Sequence, residues 1–133
     1  MHELVMRIRE PEKCYVFAEN AIRRGHEDLA IQAYRRAVDL RAEKHETDSE
    51  AEFAAVRAIY AYEEALSYKK GKRTRATGTW QMVNKIGILP TLEKRLQAKG
   101  VEELKPKLKE LKMEDYSFQA VADRHAAALP EAA

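Results

Sequence analysis

The chain has 133 residues and 15.3 kDa, of which 45% are hydrophobic and 35% charged, with a formal net charge of +2. A domain of this length buries about two-thirds of the surface that its unfolded chain exposes, and this composition excludes a disordered or fibrous polymer. A lone cysteine, Cys14, excludes an internal disulfide; with the charged start MHELVMRIRE and no apolar run of membrane length, the expectation is a cytoplasmic protein outside the membrane.

Residues 1–10 hold Leu4, Val5, Met6 and Ile8 without a clean period and read as an arm or flexible N-terminus. Glu10 and Pro11 open the first helix, because Pro at the first helical position removes an N–H that would be unpaired anyway. Cys14, Phe17, Ala18, Ala21 and Ile22 share a stripe, and Gly25 is placed to end the helix in the left-handed conformation. Ala30, Ala33, Tyr34, Ala37, Val38 and Leu40 give a second helix to about Lys44, and the short link makes the pair an antiparallel hairpin.

After the polar break at 45–49, Ser49 with Glu52 forms a capping-box pattern, as does Thr47 with Glu50. The third helix is apolar over a broad arc (Phe53, Ala55, Val56, Ile59, Tyr60, Tyr62, Leu66) and is expected to be long and central, with Glu63 and Glu64 as exposed carboxylates on its face. Gly71 through Gly78 reads as a loop, with Thr77 or Thr79 capping a short helix that holds Trp80, Met82, Val83 and Ile86 and closes at Gly87. Pro90 starts another short helix, Pro106 predicts a break near Lys105, and a last helix runs from about Glu114 to Leu129. The expected architecture is an all-α single domain over residues 11–129, a bundle of five to seven helices built on the hairpin and the long third helix, with residues 130–133 frayed.

Gly25, Ala30, Tyr34 and Ala37, with Ala18 before them, occupy the spacing of the Gly, Ala, aromatic and Ala positions of a tetratricopeptide repeat, so residues 11–44 resemble one such helical hairpin. The resemblance implies a protein-interaction adaptor. Cys14 and Phe17 replace the repeat's early Trp and Leu, Ala42 replaces its usual Pro, and no second copy follows, although stacked repeats need several to bury a core. The block GKRTRATGTWQM with its flanking helices also resembles small bacterial proteins of unassigned function, which implies a compact helical domain and no particular activity.

The charge is unevenly placed. Residues 1–65 hold 10 Lys and Arg against 14 Asp and Glu, and residues 101–133 hold 5 against 7, whereas residues 66–100 hold 9 against Glu93 alone. Such a basic middle addresses an anionic partner: a nucleic acid or an acidic protein surface. The candidate nucleic-acid site is Lys69, Lys70, Lys72, Arg73, Thr74, Arg75, Thr77 and Thr79, supported by Lys85, Lys94 and Arg95. Cations neutralise phosphates, hydroxyls and a helix N-terminus donate to phosphate oxygens, and Trp80 either stacks on an unpaired base or packs in the core.

Residues 82–96 also look like a helix-turn-helix, with Lys94 and Arg95 on the second helix, but Val83 stands where a small residue lets the helices cross and Leu92 comes one position early. The histidines are scattered, no HExxH or paired-cysteine motif occurs, and Gly71-Lys72 lacks the upstream Gly and strand of a P-loop. The sequence therefore nominates no catalytic residue, no metal site and no cofactor, and the expected function is non-catalytic binding.

Overall fold

The computed structural model describes residues 2–130, and every regular element among them is helical. In chain order these are α1 (Glu3–Met6), α2 (Pro11–Arg23), α3 (Glu27–Glu43), α4 (Glu50–Lys70), α5 (Thr77–Ile86), α6 (Ile88–Arg95), α7 (Lys99–Glu110) and α8 (Phe118–Arg124), with 3-10 turns at Glu114–Tyr116 and Ala126–Ala128. This is the all-α bundle expected, built on the α2–α3 hairpin and the long α4; α1 is a single turn within the N-terminal arm. Residues 131–133, in the end expected to fray, lie outside the described residues, as does residue 1 of the arm.

The hairpin forms as its residues dictate. Pro11 takes the first helical position after Glu10, and Gly25 adopts φ +77° while the His26 N–H donates to the Ala21 carbonyl at 2.8 Å, the Schellman closure. Cys14, Ala18 and Ala21 of α2 pack on Ala30, Ala33 and Ala37 of α3, where the small side chains let the helices approach closely. The arm is tied to this pair: Val5 is fully buried, and the Arg36 Nε donates to the Ile8 carbonyl at 3.1 Å.

The centre is α4. The Ser49 Oγ accepts from the Glu52 N–H at 3.1 Å and the Glu52 carboxylate accepts from the Asp48 N–H at 2.7 Å, a capping box whose return bond reaches one residue further back. Gly71, at φ +72°, ends the helix. Ala54, Ala55, Ala58, Ala61 and Ala65 are all buried, so α3, α6, α7 and α8 pack against α4 on several sides. Tyr62 of α4 stacks on Phe118 of α8, the ring centroids 4.3 Å apart.

Three local expectations are corrected. α7 runs through Pro106 without the break expected near Lys105, because the carbonyl left without a donor is that of exposed Glu102, which water can reach. The last helix is not continuous from Glu114, because Ser117 in extended conformation caps a separate α8 by accepting from the Ala120 N–H at 3.1 Å. Neither Thr77 nor Thr79 caps α5; Ala76 is the N-cap and supplies no side-chain bond.

Candidate functional site

The loop between α4 and α5 carries the basic stretch, and two buried acids hold it in place. Glu63 and Glu64 are 6% and 3% exposed, which corrects the expectation of two solvated carboxylates. Both Arg73 terminal nitrogens donate to the Glu64 carboxylate, at 2.8 and 2.9 Å, and the guanidinium lies over the Tyr15 ring, 4.0 Å from its centroid. This planar two-point pairing is what a guanidinium offers and an ammonium does not. Burial nevertheless raises the Glu64 carboxyl above its ordinary range, against the lowering pull of Arg73.

Glu63 acts one turn of loop further on. Its Oε2 accepts from the Ala76 N–H at 2.9 Å and from the Trp80 Nε1–H at 2.6 Å, with the Arg75 Nε 3.9 Å away. A side chain of α4 thus anchors the residue just before α5, while the N–H groups of the first helical turn stay uncapped. Between the acids, Ser67 Oγ accepts from the Thr74 N–H at 2.9 Å and donates to the Thr74 carbonyl at 3.2 Å, a reciprocal pair that fixes the middle of the loop. Trp80 is half-buried, stacked on His45 (centroids 5.3 Å apart) and tilted against Tyr60 (4.8 Å).

These ties divide the candidate residues between two faces. On one face, Lys72 and Arg73 border a hollow of about 270 Å3 that also contains Glu19, Glu64, Tyr15 and Tyr34. Its acids disfavour an anion. On the other face a cleft of about 450 Å3 opens between α4, the first turn of α5, the end of α6 and the start of α7. Lys69, Arg75 and Arg95 rim it, Thr77, Gly78 and Thr79 form one wall, and Leu66, Val101 and Leu104 give it an apolar lining; Glu103 is the acid on its edge.

The rim groups are disposed to donate. The N–H groups of Thr77, Gly78 and Thr79 have no acceptor among the described residues, as in any first helical turn without a side-chain cap. Arg95 is partly buried with its Nε enclosed and unpaired, and neither Arg95 nor Lys69 forms an ion pair among the described residues. Lys70 is exposed at the end of α4, while Lys85 and Lys94 are exposed on α5 and α6, away from the cleft lining. Thr74 serves the loop's own framework.

A single residue, Gly87, separates α5 from α6, where a helix-turn-helix uses a turn of three to four residues; Leu92 is buried in the core. The α5–α6 pair is therefore a packing unit and not that motif. Among the described residues no group of three His, Cys, Asp or Glu side chains could hold a metal ion, and no helix is long and apolar enough to cross a membrane. No family model, no curated protein and no solved structure matches the chain.

Sequence reasoning missed Tyr15, Ser67, Glu63 and Glu64 as parts of the site. The available signal was α4 itself: from Phe53 to Tyr68 its only charged residues are Arg57, Glu63 and Glu64, so the helix has no polar face on which to display acids.

Proposed function

We propose that the chain is a non-catalytic nucleic-acid-binding protein whose phosphate contacts centre on the cleft rimmed by Lys69, Arg75 and Arg95. The observation that carries this reading is that three cations, from the end of α4, the loop and the end of α6, line one cleft together with Thr77, Gly78 and Thr79, the uncapped first turn of α5. Fixed donors facing one opening hold a phosphate better than the same charges on mobile side chains, because the protein orders them before binding. Arg73 and Thr74 position the loop, and the exposed Lys70, Lys72, Lys85 and Lys94, outside the cleft, add long-range attraction.

The test is a titration of labelled oligonucleotides by anisotropy at several salt concentrations, comparing the parent with Lys69→Ala/Arg95→Ala. Each phosphate contact contributes about 0.7 to 0.9 to the slope of log affinity against log salt. The double variant is expected to bind more weakly and to lose about 1.5 from that slope. An unchanged slope, or a parent that binds no oligonucleotide at low salt, refutes the reading. Binding of an acidic polypeptide in place of oligonucleotides assigns the basic face to a protein partner.

A further inference from the structure

The cleft is larger and more apolar than a phosphate needs. A single water needs about 10 to 15 Å3 of space, whereas this cleft holds about 450 Å3, within the range of about 300 to 1,000 Å3 typical of small-ligand sites. Its inner lining is Leu66, Val101 and Leu104, carried on the Tyr62–Phe118 stack beneath. A bare anion on the rim leaves that lining in contact with water. A ligand that covers it has a weakly polar body next to its anionic group.

Resting on the nucleic-acid reading above, we infer that the cleft seats one unpaired nucleobase, so that the chain selects single-stranded over duplex nucleic acid, with the flanking phosphates on Lys69, Arg75 and Arg95. In a duplex each base is stacked between its neighbours, and taking it out requires unpairing; a single strand offers the base at little cost. Of the lining residues Lys69 and Arg75 are exposed and Arg95 is partly so, whereas Val101 is buried and Leu66 and Leu104 are half-buried, which matches a nucleotide with its base inward and its phosphates outward.

Two glycines allow the cleft to be filled without disturbing its walls. Gly78 and Gly100 both line it, neither has a positive φ, and a Cβ added at either meets no atom within 4 Å. Gly100 lies in the first turn of α7 and Gly78 in the first turn of α5, where a side chain is compatible with the helix.

The experiment compares three probes of equal length on the full chain: a thymidine single strand, a strand of the same phosphates with abasic sites throughout, and a duplex. The expected result is that the single strand binds about ten-fold tighter than the abasic strand, as one buried base contributes, and that the duplex resembles the abasic strand. Gly100→Leu, with Gly100→Met as an independent second variant, is expected to bring single-strand affinity down to the abasic level without changing the salt slope. Equal binding of thymidine and abasic strands overturns the base pocket and leaves the phosphate reading standing. Failure to bind any of the three overturns both. A folded Gly100→Leu that still separates the two strands ten-fold also overturns it.

Discussion

Glu63→Ala tests whether one buried acid organises the loop. Glu63 is 6% exposed and accepts from the Ala76 N–H and the Trp80 Nε1–H. Hydrogen bonds to a charged acceptor contribute about 1.5 to 3 kcal/mol each, offset by the several kcal/mol needed to take a carboxylate out of water. Truncation removes both sides of that balance but leaves two donors without an acceptor. Each such donor costs about 1 to 3 kcal/mol when fully buried, and the half-burial of Ala76 and Trp80 places the net loss at about 2 to 4 kcal/mol. An unfolding entropy of about 2.1 cal/mol/K per residue over 133 residues makes 3 kcal/mol a fall of about 10 °C in Tm. Thermal unfolding followed by circular dichroism measures the loss, and Trp80 emission, from the only tryptophan, reports the local change. Glu63→Gln keeps an acceptor oxygen and is expected to lose about 1 kcal/mol. An alanine variant within 0.5 kcal/mol of the parent would refute the reasoning.

Arg73→Ala removes the partner of a carboxyl that burial already raises, so Glu64 moves higher still. A carboxyl raised in the folded state weighs against folding when ionised, and that penalty disappears as pH falls below the unfolded value near 4.3; the variant is therefore expected to lose about 1 to 3 kcal/mol at pH 8 and clearly less at pH 5. Urea unfolding at both pH values checks this, and a deficit independent of pH counts against it. Lys112 ends α7 at φ +55° while the Met113 N–H donates to the Leu108 carbonyl at 2.9 Å, a Schellman closure with Lys where Gly fits without strain. Lys112→Gly is expected to stabilise the fold by about 0.5 to 1 kcal/mol in urea unfolding, and a destabilisation rejects that account. Cys14 is fully buried and its thiol is pushed up to about 11 by burial, so a disulfide reagent at pH 8 is expected to label it only after denaturant is added. Prompt labelling in native buffer would show the α2–α3 interface to be open.

The helical hairpin, the central third helix and the position of the basic loop were legible because each rests on local chemistry: apolar spacing, a capping box, and glycines at helix ends. The errors occurred where tertiary packing supplies the partner. Pro106 ends a helix when its missing N–H leaves a buried carbonyl unpaired; at a solvent-facing turn it does not, and the sequence does not say which way that turn faces. Glu63 and Glu64 read as surface acids because acids usually are, yet their positions on an almost uncharged helix were visible, and their partners Arg73, Ala76 and Trp80 lie only 9 to 17 residues downstream. What was not visible is that Arg95, on another helix, returns to the same cleft as Lys69.

The same two acids change what the basic stretch presents to a partner. Nine cations stand against Glu93 within residues 66–100, but Glu63 and Glu64, just upstream, reach into the loop and draw Arg73, and more weakly Arg75, toward α4. Within the most densely basic segment the uncommitted charge is therefore carried by the lysines and not by the arginines. Lys69 and Lys70 at the end of α4 and Lys72 just beyond it are exposed, and Arg95 lines the same cleft as Lys69 without a charged partner among the described residues. Ordering the loop at the expense of two arginines gives up long-range attraction, since paired charges contribute little to the outer field. In exchange the α5 N-terminus and the cleft wall hold a fixed position before any ligand arrives, which lowers the ordering cost of binding. A chain built only for non-specific attraction to a polyanion gains nothing from that exchange; one that must admit a particular shape between its cations does.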